Sequence, residues 1–76
     1  MNSVMIRLSS IQDVRTFVDT VTKYTIDIDL SSGRYVVDAK SIMGIFSLDL
    51  LKPITLQAHG GDTDELFAAL DRFIVK

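Results

Sequence analysis

The chain has 76 residues, 47% of them hydrophobic and 24% charged, with no cysteine, no tryptophan and a single histidine, His59. That composition suits one small globular domain, residues 1–76, and leaves no thiol for a disulfide framework or a thiolate metal site. A formal net charge of −2 argues against nucleic acid as the main partner.

Val4, Ile6 and Leu8 alternate with Met5 and Arg7, the pattern of a first strand. From Ile11 the period changes: Ile11, Val14, Phe17, Val18 and Val21 mark one face of a helix, with Ser10 and Asp13 spaced as a capping box. Residues 25–30 alternate again, with Ile26, Ile28 and Leu30 on one face and Asp27 and Asp29 on the other. Ser31, Ser32 and Gly33 supply a turn, and residues 34–38 return as the partner strand. Ser41 is placed to cap a short helix over 41–48. Pro53 closes the next connection, and residues 54–58 read as a fourth strand. His59, Gly60 and Gly61 form a loop. Asp62 with Glu65 then opens a last helix whose apolar face is Leu66, Phe67, Leu70, Phe73 and Ile74. The order β-α-β-β-α-β-α predicts an α+β sandwich, with helices covering one face of an antiparallel sheet.

Met1 to Ser10 lacks the basic-then-apolar pattern of a signal peptide. The most apolar run, residues 42–51, is broken by Gly44, Ser47 and Asp49 and is too short to span a bilayer. A cytoplasmic protein with no membrane partner is the expectation.

His59 is the one imidazole available for acid–base work, metal ligation or phosphate acceptance. Without a second imidazole or a thiol it reads as an exposed loop histidine, and no metal site or cofactor is expected. Asp27, Asp29, Asp38 and Asp49 read as a solvated face rather than paired catalytic carboxylates. The segment 41–48 is different. Ile42, Met43, Ile45, Phe46 and Leu48 point almost all round a short helix, which buries only one stripe, so the remaining apolar surface is either covered by neighbouring helices or faces a partner.

The segment from Asp38 to Leu48, DAKSIMGIFSL, resembles HPr, the histidine-containing phosphocarrier of the bacterial sugar phosphotransferase system. The resemblance extends from Phe17 and Val18 through the hairpin to the strand at Ile54. It implies an open-faced sandwich with strand order 1-4-2-3 and three helices on one side. In that family a histidine at the start of the first helix takes phosphate, which a neighbouring arginine and the helix-end N–H groups stabilise. Here the stretch from Leu8 to Arg15 reads LSSIQDVR and is about three residues shorter than the family's strand-to-helix spacing. Ser9 and Ser10 fall nearest the acceptor slot, Gln12 near the arginine, Asp13 near a proline, and Arg15 lies one turn along. Ser41 falls on the family's regulatory serine, and Ile42, Met43 and Phe46 on its apolar docking positions.

The resulting expectation is a non-enzymatic regulatory or adaptor protein with a degenerate phosphocarrier site. It would bind phosphotransferase-system proteins, an HPr kinase or a transcriptional regulator. The alternatives are a phosphocarrier using Ser10 or His59, and a small oligomerising module. A monomer or weak dimer fits all three.

Overall fold

The computed structural model describes residues 2–75. In chain order it contains β1 (Asn2–Ile6), α1 (Ile11–Val21), β2 (Asp27–Ser32), β3 (Tyr35–Asp38), α2 (Ile42–Phe46), β4 (Ile54–His59), α3 (Thr63–Ala69) and a 3₁₀ turn, Asp71–Phe73. The strands form one antiparallel sheet in the order β1-β4-β2-β3. The expected element order, strand order and fold class are therefore all present.

Alternation explains which strand ends up central. β4 buries Ile54, Leu56 and Ala58 while Thr55 and Gln57 point the other way, and it hydrogen-bonds to strands on both sides. Its buried face meets Ile6 of β1, Ile28 and Leu30 of β2, and a helical layer built on Val14, Phe17, Val21, Ile45, Leu66 and Leu70. Phe17 packs edge-on against Phe73, ring centroids 5.8 Å apart, which ties α1 to the C-terminal turn.

Four local expectations need correction. Strand β2 runs through Ser32, so the hairpin turn is Gly33-Arg34 rather than Ser31–Gly33. Gly33 takes φ +60° and Arg34 keeps a negative φ, the pattern of a two-residue II′ turn, which matches the twist of its strands. Ile26 lies just before β2 but still packs against the core. Helix α2 ends at Phe46, and Leu48 is buried from the chain beyond it. Ile74 is not helical: it bridges to Ile6, with Arg7 N donating to Phe73 O at 2.8 Å and Val75 N to Met5 O at 2.9 Å. The tail thereby covers the outer edge of β1, where unpaired backbone groups would otherwise be exposed.

Candidate functional site

Two helix starts carry the residues singled out in the sequence. At α1, Ser10 is the N-cap, and its Oγ accepts from Asp13 N at 3.0 Å. The Asp13 carboxylate turns back on the preceding residue. Its Oδ2 accepts from Ser9 N at 3.1 Å and from Ser9 Oγ at 2.9 Å, and its Oδ1 lies 3.9 Å from Arg72 Nη2. The Ser9 backbone N–H and then its hydroxyl hold this carboxyl below the usual aspartate range; Arg72 and Ser10 add to the effect and desolvation opposes it. Gln12 donates to Thr16 Oγ1 at 3.3 Å, one turn along the helix and away from its start. The Arg15 side chain is exposed and makes no hydrogen bond or ion pair among the described residues. The four residues expected from the resemblance to mark a degenerate phosphocarrier site are thus split: Ser9 and Ser10 engage Asp13, while Gln12 and Arg15 stand apart.

At α2, Ser41 is the N-cap and its Oγ accepts from Gly44 N at 3.1 Å. Gly44 lets this turn lie close to β3, since a Cβ there would sit 3.2 Å from both Ser41 Oγ and Val37 Cβ. Ser41 itself is exposed. A five-residue helix seats one side chain fully, Ile45, and half-buries Ile42. Met43 is left 77% exposed and Phe46 41% exposed.

Two members of this surface escaped the sequence reading. Ile11, expected in the core, is 63% exposed, and Leu51 is 88% exposed. Helical side chains lean over the turn N-terminal to their own Cα, and the first helical residue has no such turn to cover. Ile11 instead joins Phe46, Leu50 and Leu51 around a groove of about 370 Å³, with Leu8 and Arg7 also on its wall. The signal for Leu51 was present, as the end of the apolar run from Ile42, but periodicity cannot say which end of a run stays wet.

His59 is the last residue of β4, not a loop residue, and its Nε2 lies 2.8 Å from Asp29 Oδ2 on the neighbouring strand. Ile54 pairs with Ile6 beside the α1 start, whereas His59 pairs with Asp27 at the other end of β4. Five residues of strand span roughly 17 Å. His59 and the α1 serines are therefore at opposite ends of the sheet. Among the described residues no three His, Cys, Asp or Glu side chains are arranged to hold a metal ion, and no helix is long and apolar enough to cross a membrane.

A four-stranded 1-4-2-3 sheet under three helices, with capped starts at α1 and α2, defines an HPr-type α+β sandwich. The sequence model described as "PTS HPr component phosphorylation site" matches residues 13–76. Among solved structures, an HPr of Thermoanaerobacter tengcongensis is 32% identical, with 95% of this chain and 89% of that one covered and a TM-score of 0.81. A phosphocarrier HPr of Bacillus anthracis is 28% identical over 97% of this chain and 94% of that one, TM-score 0.73. The Bacillus subtilis protein Crh, described as a catabolite repression protein forming a swapped dimer, is 27% identical over 93% and 88%, TM-score 0.66. The chain belongs to HPr, a phosphocarrier family of the phosphotransferase system. The sequence match begins at Asp13, so β1 and the loop leading into α1 lie outside it.

Proposed function

We propose that this HPr-family chain acts as a regulatory or adaptor protein of the phosphotransferase system rather than as a histidine phosphocarrier. It binds protein partners through Ile42, Met43 and Phe46, and phosphorylation at Ser41 switches that face. The observation that carries the reading is the exposure of Met43 and Phe46 on the same short helix that Ser41 caps. A methionine and a phenylalanine left wet beside a polar cap suit a docking patch with an apolar centre and a polar rim. The alternative acceptors are less favoured: Ser10 caps α1 as Ser41 caps α2, but it does so beside the Asp13 carboxylate, and His59 is hydrogen-bonded to Asp29. The likeness to Crh, described as a catabolite repression protein, favours a regulatory role. An HPr kinase and a transcriptional regulator are the partners that the Ser41 segment suggests by its resemblance to the family.

Incubation with HPr kinase and ATP, followed by mass spectrometry, is expected to place one phosphate on Ser41. Incubation with phosphoenolpyruvate and the first enzyme of the phosphotransferase system should leave no acid-labile phosphohistidine. Stoichiometric phosphate on His59 or Ser10 in the second experiment would overturn the reading.

Self-association of the same face is a second reading, favoured by the swapped dimer described for Crh and by the exposure of Leu51 next to Phe46. It predicts a dimer in light scattering that Phe46→Asp dissociates. A monomer at high concentration rules it out.

A further inference from the structure

The two edges of the sheet are finished differently. The tail covers β1, whereas β3 has no strand on its outer side among the described residues. Tyr35 and Val36 of this free edge are 68% and 65% exposed. An uncovered edge strand with apolar side chains is a template for another strand. Ala39 N donates to Ile28 O at 2.9 Å, so alternation turns the backbone groups of Val37 and Tyr35 towards β2 and those of Val36 and Asp38 outwards. Asp38 O accepts from Ser41 N, which leaves the Val36 N–H and C=O and the Asp38 N–H facing out.

Charge selects the occupant and its register. Arg34 and Asp38 flank the strand, both are exposed, and neither makes an ion pair among the described residues. Asp38 lies directly across from Asp29, a like-charge pair that an added cation would relieve. A second copy running antiparallel must set outward backbone groups against outward ones, so the two-fold axis passes through a residue and not between two. An axis through Val36 sets Val36 against Val36, Tyr35 against Val37, and Arg34 against Asp38 at both ends. An axis through Val37 sets Arg34 against Lys40 and Val36 against Asp38, and one through Tyr35 runs the strand into the Gly33-Arg34 turn. The first register alone opposes unlike charges and matches apolar with apolar.

We infer that two copies of this chain pair through β3, antiparallel and centred on Val36, which joins their sheets into one. On the open face the two Val36 side chains meet between two Arg34–Asp38 pairs. On the helical face each Tyr35 covers the other copy's Val37, which is half-buried within its own chain. No β3 residue lines the groove at Ile11, Phe46 and Leu51, so this contact is separate from self-association through α2 and does not rest on the adaptor reading. A ladder this short makes an interface below the usual stable size, and the dimer is therefore weak and concentration-dependent.

Sedimentation velocity of the full chain across a concentration series is expected to show a reversible monomer–dimer equilibrium. Arg34→Asp alone and Asp38→Arg alone should each weaken it at least about tenfold, since each sets like charges against one another. Mixing the two variants should restore a dimer between unlike copies, because every opposed pair is then again of opposite charge. Phe46→Asp should leave the dimer intact. A second measurement needs no variant: the Val36 and Asp38 amide protons should exchange more slowly as concentration rises, while those of Tyr35 and Val37, already bonded to β2, change little. A chain that stays monomeric throughout would overturn the inference. So would a dimer that both charge reversals leave intact, that mixing the folded variants fails to restore, or that Phe46→Asp dissociates.

Discussion

The starts of α1 and α2 use the same device and end in opposite states. Each has a serine at the N-cap whose hydroxyl accepts from the backbone N–H three residues on, at 3.0 Å for Ser10 and 3.1 Å for Ser41. The third residue decides the difference. At α1 it is Asp13, whose carboxylate is drawn into bonds with Ser9 and towards Arg72; at α2 it is Gly44, and no acidic residue stands in the first turn. A phosphate added near Ser10 would meet the Asp13 carboxylate, whereas the first turn of α2 beside Ser41 carries no acidic residue. Anchoring differs as well. Helix α1 sinks Val14, Phe17 and Val21 into the core, whereas α2 sinks Ile45 and leaves Met43 and Phe46 outside. One helix start is closed and firmly held; the other is open and carries an apolar face.

Removing the anchor of the closed side should have the largest effect. Phe17 is fully buried and stacks edge-on with Phe73. Phe17→Ala is expected to cost about 3–5 kcal/mol, read as a fall in the urea midpoint with an unchanged slope. A loss below about 1 kcal/mol would mean that the core closes over the gap and that α1 is less firmly held than α2.

The open side should respond in binding rather than in stability. Met43→Asp is expected to weaken capture of whichever kinase or regulator binds by at least about tenfold, as for a central apolar anchor. Its thermal midpoint should barely change, since exposed substitutions usually stay within about 0.5 kcal/mol. His59→Asn, at the end of central strand β4 beside Asp29, should alter neither property by much, because an exposed contact of this kind contributes about 0–1 kcal/mol. Partner loss with His59→Asn and not with Met43→Asp would move the interface to the other end of the sheet.

How much of this contrast was readable beforehand follows from the range of the forces involved. Periodicity and caps are local, so the alternation of β2 and β4, both serine caps and the apolar surplus of α2 all stood in the sequence. The long-range contacts did not. Nothing near Asp13 in the sequence announces Arg72, and nothing near His59 announces Asp29, since each pair is brought together only by packing and strand register. Ile11 was misplaced for a related reason. Its spacing from Val14 and Val18 is helical, yet as the first helical residue it has no preceding turn to lean over, and it lines the groove beside Phe46 and Leu51 instead. The tail was misread because its apolar residues fit a continuing helix, while the free edge of β1 offers Val75 and Arg7 a better set of backbone partners.

The caps themselves should give a smaller effect. Ser10→Ala and Ser41→Ala are each expected to cost about 1 kcal/mol, measured by urea unfolding. The comparison sharpens in the way each loss is distributed. Ser10→Ala should appear in global unfolding, because α1 is bound into the core. Ser41→Ala should appear mainly as faster local amide exchange in α2, whose first turn has few other supports. Equal global losses would show that α2 is as firmly integrated as α1.

The smallest effect separates the two helix starts by acid. The folded-state pKa of Asp13 is lowered, chiefly by the Ser9 backbone N–H and hydroxyl. Its contribution to stability is therefore complete above the unfolded value, roughly pH 4, and is lost as pH falls through the lower folded value. Asp13→Asn should flatten that part of the acid limb in urea midpoints taken across the range, while Ser41→Ala leaves its slope unchanged. Added salt should trim the Arg72 share, since that pair is long and solvent-facing, and spare the share due to the Ser9 hydrogen bonds. An acid limb that Asp13→Asn leaves intact would mean that other carboxylates govern it, and the closed state of α1 would then rest on the Ser10 cap alone.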